Sequence, residues 1–194
     1  MIETLIRLDT QLFLLLNDIH NSFFDEIMWW LSSKTIWIPM YVFFIYLLFK
    51  QYKKQAWIIV LAVIVSVVLA DSLSVALFKN VFLRLRPSHN PALEGVVHIV
   101  NGYKGGDYGF VSSHAANTFA MAVLLAHFLK ARLLYFPYFI FSWAVLVSYS
   151  RIYLGVHFPG DVICGALFGS LVAYFVLKAY NYWGKNVFMQ KGKG

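Results

Sequence analysis

Residues 57–87 read WIIVLAVIVSVVLADSLSVALFKNVFLRLRP. From Trp57 to Phe78 the only charge is Asp71, and about 20 mostly apolar residues suffice for a helix to cross a bilayer's hydrocarbon core. The stretch is therefore predicted to span a membrane. Where it ends, Lys79, Arg84 and Arg86 place three positive charges, and Pro87 stops the helix. Lys79 and Arg86 are seven residues apart, two turns of a continuing helix, which would aim both at a common oxyanion. An arginine grips phosphate through two parallel hydrogen bonds and a lysine adds a point charge, so the pair suits a tetrahedral dianion. The competing reading is that these side chains only reach up to anionic lipid headgroups.

The rest of the chain agrees with a membrane setting. It is 60% hydrophobic and 13% charged, against about 45–50% and about 25% in soluble domains. Its net charge of +7 is scattered beside apolar runs, which argues against a nucleic-acid-binding face. The single Cys164 lies in an apolar stretch and excludes an intrachain disulfide framework. Further spans are expected at His114 to Leu129, Leu133 to Tyr149 and Asp161 to Tyr180, with a shorter one at Ser33 to Phe49 extended by the preceding FFDEIMWWL. Residues 1–20 hold one compact run, QLFLLL, too short to span, and are read as an interfacial or partly inserted helix. Glu3, Asp9 and the lack of a small-residue cleavage site argue against a cleaved signal. The expectation is an all-α, polytopic integral membrane bundle of about five to six helices, forming one domain over 1–194 with no internal repeat.

Short cytoplasmic loops collect Lys and Arg. Lys50, Lys53 and Lys54, then Lys130 and Arg132, then Lys178, Lys185, Lys191 and Lys193 fall on alternate connections, which makes that side, with the basic tail 181–194, cytoplasmic. Lys79, Arg84, Arg86, Lys104 and Arg151 fall on the opposite, outward side and need another explanation. The outer connection, 87–112, contains five glycines, and loops of that length are often functional.

Three polar clusters share this outer side, within 79–161: KNVFLRLRP, VSSHAAN at 111–117 and SRIYLGVHFPGD at 150–161. Ser112 or Ser113 is placed to cap an apolar helix, whose free N–H groups favour an anion near His114. His157 and Asp161 are four apart across a Pro159-Gly160 turn; a carboxylate there would hold one ring nitrogen protonated and leave the other free to attack. Arg151 adds a third cation. Asp71 is read as a structural partner, of Lys79 or of the hydrogen-bonding groups near Ser72 and Ser74. His89, His98, Lys104 and Asp107 are candidates for tuning substrate choice, and their spacing makes no convincing metal site.

These clusters resemble the three motifs of the type-2 phosphatidic acid phosphatases, Lys-x6-Arg-Pro, Pro-Ser-Gly-His and Ser-Arg-x5-His-x3-Asp. The first matches at Lys79, Arg86 and Pro87, and the third at Ser150, Arg151, His157 and Asp161. The second matches at Ser112 and His114, with Val111 in place of its proline and Ser113 in place of its glycine. The resemblance implies a metal-independent membrane phosphatase without cofactors or an evident obligate protein partner, working at the outer face of a bacterial-type cytoplasmic membrane. It also implies the roles: His157 attacks phosphorus to form a phosphohistidine, Asp161 orients it, and His114 protonates the leaving oxygen. Lys79, Arg86, Arg151 and the Ser112–Ser113 backbone would hold the phosphoryl oxygens, with Arg84 a headgroup contact at most. Expected substrates are a polyprenyl pyrophosphate such as undecaprenyl pyrophosphate, lipid A or a phosphatidyl phosphate. The alternatives are a small lipid or anion transporter, which would need a deep polar path that the apolar segments lack, and a catalytically inactive protein that binds lipid phosphate.

Overall fold

The computed structural model describes the backbone of residues 1–190 and the side chains of residues 1–182; Lys185, Lys191 and Lys193 of the basic tail lie outside the described side chains. The described chain folds into seven helices: α1 (Ile2–Asn17), α2 (Ser22–Ser32), α3 (Ile38–Tyr52), α4 (Ala56–Ser74), α5 (Ser113–Leu129), α6 (Phe136–Tyr153) and α7 (Pro159–Gln190). The five expected spans are helical over most of their length, although the one expected from Leu133 starts only at Phe136 and the one expected from Ser33 starts only at Thr35. FFDEIMWWL does not extend the Ser33 to Phe49 span, however, and forms its own helix, α2, capped by Asn21, whose side chain accepts the Phe24 N–H at 2.9 Å. Ser33 then turns extended, with φ −74° and ψ 133°, and breaks the path before α3.

The centre of the bundle is α5, packed by α4, α6 and α7. Its Ala115, Ala116, Ala120 and Ala122 are fully buried, as is Leu124. Small residues are what allow this, because a bilayer supplies little drive for helices to associate and close backbone approach must do so. Gly165 and Gly169 on α7 continue the theme. A methyl at Gly165 would meet the Ser112 carbonyl at 2.5 Å, and one at Gly169 would strike the Ala116 backbone. The outward faces are apolar instead of charged: Trp57, Leu61, Ile64 and Val68 on α4, Val145 and Leu146 on α6, and Leu167, Leu171 and Phe175 on α7 are exposed. A helix apolar on all sides belongs in a membrane or a large core. The stretches Thr35–Phe82, which doubles back at Lys53–Gln55, and Pro159–Tyr182 are long and apolar enough to cross one.

Polar bonds close both ends. At the end bearing the basic turn, Gln51 Nε2 and Tyr52 Oη donate to the Phe128 carbonyl at 3.0 and 2.7 Å. At the other, Asn17 Nδ2 donates to the carbonyls of Tyr153, His98 and Ile152 at 2.8, 3.2 and 3.3 Å, and Asn17 Oδ1 accepts the His98 N–H at 2.8 Å. This binds α1 and the outer connection to the end of α6. Gly169→Val is expected to force α5 and α7 apart, at a cost of about 1–3 kcal/mol; Val145→Ala, on the lipid-facing side of α6, serves as the control. Thermal unfolding in detergent checks the difference between the two.

Candidate active site

Three strands of sequence meet at the Asn17 end of the bundle. The first leaves α4. Its last turns widen into a π turn at Val75–Lys79, close in a short helical turn at Asn80–Phe82, and stop where Leu83 takes a left-handed conformation with φ 48°. Lys79 and Arg86 therefore do not share one helix face, contrary to the expectation from their spacing. Leu85 instead forms an antiparallel bridge with Tyr108, flanked by hydrogen bonds from Arg86 N–H to the Asp107 carbonyl (3.0 Å) and from Gly109 N–H to the Arg84 carbonyl (2.8 Å). In an extended strap, residues two apart point the same way, and Arg84 and Arg86 both turn inward. The Arg-Leu-Arg alternation was the signal of this strap, and the helical reading passed over it.

Arg86 is 7% exposed; its Nε donates to the Tyr108 carbonyl at 3.3 Å and its Nη1 has no partner. Gly105, at φ 70°, makes room for the guanidinium, which any Cβ there would strike. Lys79, half-buried at the end of the π turn, lies in the field of Arg86, Asp71, Arg151 and Asp161. Asp71 finds its partner on α5, accepting from Asn117 Nδ2 at 2.9 Å.

The second strand is the start of α5. Ser112 is the N-cap, its Oγ facing the Ala115 N–H at 3.4 Å, and its own N–H donates to the Asp161 carbonyl at 2.9 Å. Val111 is fully buried. The Ser113 hydroxyl turns aside to Ser74 Oγ at 2.7 Å, so this side chain pins α5 to α4. His114 stands in the first turn, within the field of Arg151, His157, Lys34 and Arg86.

The third strand joins α6 to α7. Arg151, 3% exposed, donates through Nη1 to Ser32 Oγ and through Nη2 to Tyr103 Oη at 3.3 Å, and its Nε has no partner. The Arg151 carbonyl accepts the Val156 and His157 N–H groups at 3.1 and 3.2 Å, which curls the turn. His157 is 1% exposed and Asp161 is fully buried. Asp161 Oδ2 faces His157 Nδ1 at 3.4 Å and accepts the Phe158 N–H at 3.0 Å. Gly109 lines this contact: a methyl there would lie 2.9 Å from Asp161 Oδ2. Burial, followed by the charges of Arg86, Arg151 and Lys79, holds the His157 imidazole well below its ordinary value, in the neutral form.

Sequence reading missed Arg84, whose Nη1 donates to Asp161 Oδ1 at 2.7 Å and whose Nη2 donates to Asp9 Oδ2 at 2.7 Å; it faces the carboxylate and is no mere headgroup contact. Ser32 and Tyr103, the partners of Arg151, were also missed, and isolated polar residues so far from the motifs gave no signal. The outer-loop candidates do not converge. His98 Nε2 is engaged by Asp25 Oδ1 at 2.8 Å, His89 Nε2 lies 3.3 Å from the Gly105 carbonyl, and Lys104 and Asp107 contribute carbonyl oxygens to Ser88 Oγ and the Arg86 N–H. Among the described residues, no three His, Cys, Asp or Glu side chains converge as a metal site.

A membrane helical bundle that gathers Lys79, Arg86, Arg151, a helix N-terminus, two histidines and a carboxylate at one end has the architecture of an integral membrane phosphatase. Residues 55–185 match the model of the PAP2 superfamily, and the chain belongs to that family. It is 42% identical over 182 residues to the lipid A 4'-phosphatase of Bacteroides thetaiotaomicron, an alignment covering 91% of this chain and 80% of that one. The crystal structure of Aquifex aeolicus LpxE superposes with a TM-score of 0.65 at 29% identity, over 88% of this chain and 95% of the other. The fold is shared as well with a transmembrane PAP2-type phosphatidylglycerolphosphate phosphatase from Bacillus subtilis, at a TM-score of 0.66 and 23% identity over 92% and 87% of the two chains.

The unfolded chain takes a proton at His157 as pH falls through about 6.5, whereas the folded chain, with this pKa depressed, resists it. The stability that His157 contributes is therefore present above about pH 6.5 and is lost on acidification. His157→Gln is expected to flatten the fall in melting temperature below pH 6.5, as measured by thermal unfolding across a pH series.

Proposed function

We propose that the chain hydrolyses a phosphomonoester on a lipid, with a glycolipid phosphate of the lipid A kind as the preferred substrate. The observation that carries this reading is the pair of buried, unpartnered guanidinium nitrogens, Arg86 Nη1 and Arg151 Nε, beside a neutral His157 whose Nδ1 faces Asp161 without a hydrogen bond. Buried donors are almost always paired, and a phosphoryl group supplies the acceptors these two lack. The 42% identity to a lipid A 4'-phosphatase supports the choice of lipid.

In the proposed reaction, His157 turns Nδ1 to Asp161 and keeps the lone pair on Nε2 for phosphorus. As the N–P bond forms, the bond from phosphorus to the lipid oxygen breaks, and that oxygen takes a proton from His114. Water then attacks the phosphohistidine, gives a proton to His114 and releases inorganic phosphate, with His157 restored. Lys79, Arg86, Arg151 and the N–H group of Ser113 hold the phosphoryl oxygens; the Ser112 N–H, expected from the sequence to join them, is instead engaged by the Asp161 carbonyl, so Ser112 serves as the helix cap. Such preorganised donors each contribute about 2.7–4 kcal/mol to the rate. Residues 1–194 act as one membrane domain, with α1 at the interface, the site on the outward side and the basic turns at Lys50–Lys54 and Lys130–Arg132 facing the cytoplasm.

Purified protein is expected to release phosphate from lipid A in preference to phosphatidic acid, phosphatidylglycerol phosphate or a polyprenyl pyrophosphate, and His157→Ala to abolish release. Preference for the pyrophosphate would reassign the substrate; no release from any lipid by folded protein would favour a binding role. Vanadate is expected to inhibit and EDTA to leave the rate unchanged, as steady-state assays would show. For orientation, a cysteine placed at Lys104 in a Cys164→Ser background is expected to react with a membrane-impermeant maleimide added outside intact cells.

A further inference from the structure

We propose that Arg84 and Asp9 are positioning residues of the active site, holding Asp161 charged and oriented for His157. The inference rests on the phosphatase reading above and adds two residues that the three motifs do not specify, Asp9 on α1 and Arg84 at an unspecified position within the first motif. Asp161 is fully buried, and each of its oxygens has a distinct partner set. Oδ2 takes the Phe158 N–H and faces His157, while Oδ1 takes Arg84 Nη1 at 2.7 Å. Without Arg84 that second oxygen would have no hydrogen-bond donor among its described contacts.

Asp9 grips the same arrangement from two directions. Its Oδ2 accepts from Arg84 Nη2 and its Oδ1 from the Gly160 N–H, both at 2.7 Å. Gly160 directly precedes Asp161, so one carboxylate on α1 fixes both the guanidinium that holds Asp161 and the backbone that carries it. A methyl at Gly160 would come within 2.8 Å of Asp9 Oδ2, so a side chain there would crowd the carboxylate. The Arg84 guanidinium also lies 4.2 Å from the centre of the Phe158 ring, which limits its freedom to swing away.

Charge explains why this position acts on chemistry. The charged and titratable groups around Asp161 are Arg84 and Arg86 on the strap, Lys79 at the end of the π turn that follows α4, His157 in the turn, and Asp9 on α1, with Cys164 one turn on along α7. Arg84 is the cation in direct hydrogen-bond contact. A buried carboxylate that loses its paired cation is neutralised more readily by a proton, and a neutral Asp161 no longer fixes the proton on His157 Nδ1. The attacking lone pair on Nε2 is then no longer assured.

The experiment measures kcat, KM and the pH profile of kcat for Arg84→Gln, Arg84→Lys, Asp9→Asn and His157→Ala on the same lipid phosphate. Arg84→Gln is expected to lower kcat about 10- to 100-fold, by analogy with the loss when the partner that orients a metal-ligating side chain is removed, with KM little changed. Its acidic limb is expected to move to higher pH, and Arg84→Lys to recover part of both effects. Asp9→Asn is expected to show a smaller loss in the same direction, non-additive with Arg84→Gln, as coupled residues are. A variant whose KM rises while kcat and the acidic limb stay put would make Arg84 a headgroup contact and overturn the proposal. Should Arg84→Gln fail to fold, Asp9→Asn decides by the same two readouts. Activity surviving in His157→Ala would instead overturn the phosphatase mechanism, whereas loss there with parental turnover in Arg84→Gln overturns the positioning role alone.

Discussion

The hydrogen bond from the Ser112 amide to the Asp161 carbonyl, 2.9 Å long, joins the first turn of α5 to the first turn of α7. It can form only because the two helices touch backbone to backbone along Gly165 and Gly169. Two helix N-termini, each with unsatisfied N–H groups and a positive end, are thereby brought to one place. The strap then lays Arg84 and Arg86 across them and the α6–α7 turn delivers Arg151 and His157. Loosening the contact at Gly165 would move the helix that caps the anion and the carboxylate that orients the imidazole together.

Holding so many like charges in a buried space requires rigid walls, and the Asn17 end of the bundle supplies them with polar bonds. Besides the Asn17 clamp, Tyr153 Oη donates to Asp25 Oδ1 at 2.7 Å, and that oxygen also meets His98 Nε2. The His20 ring stacks on His98 with centroids 3.7 Å apart. Gly155, at φ 74°, passes so close to this segment that a methyl would lie 2.7 Å from the His98 carbonyl. The outer connection is thus fastened to the turn that carries His157, which explains how a connection this rich in glycine holds a fixed shape.

The bundle was readable in the sequence because a bilayer imposes a length and a polarity on each helix, and Trp57 to Phe78 met both without help from tertiary contacts. The residues now brought together as the site were readable because phosphate chemistry demands cations, histidines and a carboxylate at fixed spacings. What escaped was whatever depended on backbone detours. The left-handed Leu83 and the bridge at Leu85 turned a presumed helical pair, Lys79 and Arg86, into residues on different elements. Asp9 and Arg84 lie 75 positions apart in the chain, and neither one's neighbours announce the other. Ser113, which fills a glycine's place in the second motif, proved easy to accommodate because its hydroxyl has somewhere to go, Ser74 on the neighbouring helix.

Arg84 also changes the electrical balance of the site. Lys79, Arg84, Arg86 and Arg151 carry four formal positive charges against two negative ones on Asp9 and Asp161, a surplus that one phosphate dianion cancels. A phosphate group bears about −1.5 to −2 charges near neutral pH, and so does the inorganic phosphate left after hydrolysis. Substrate and product thus neutralise the empty site almost equally well. Charge alone gives the product no reason to leave; its release depends on exchange with water and on the next lipid headgroup. An enzyme built on this balance is inherently open to inhibition by its own product, and the lipid tail is what distinguishes the incoming ligand from the outgoing one.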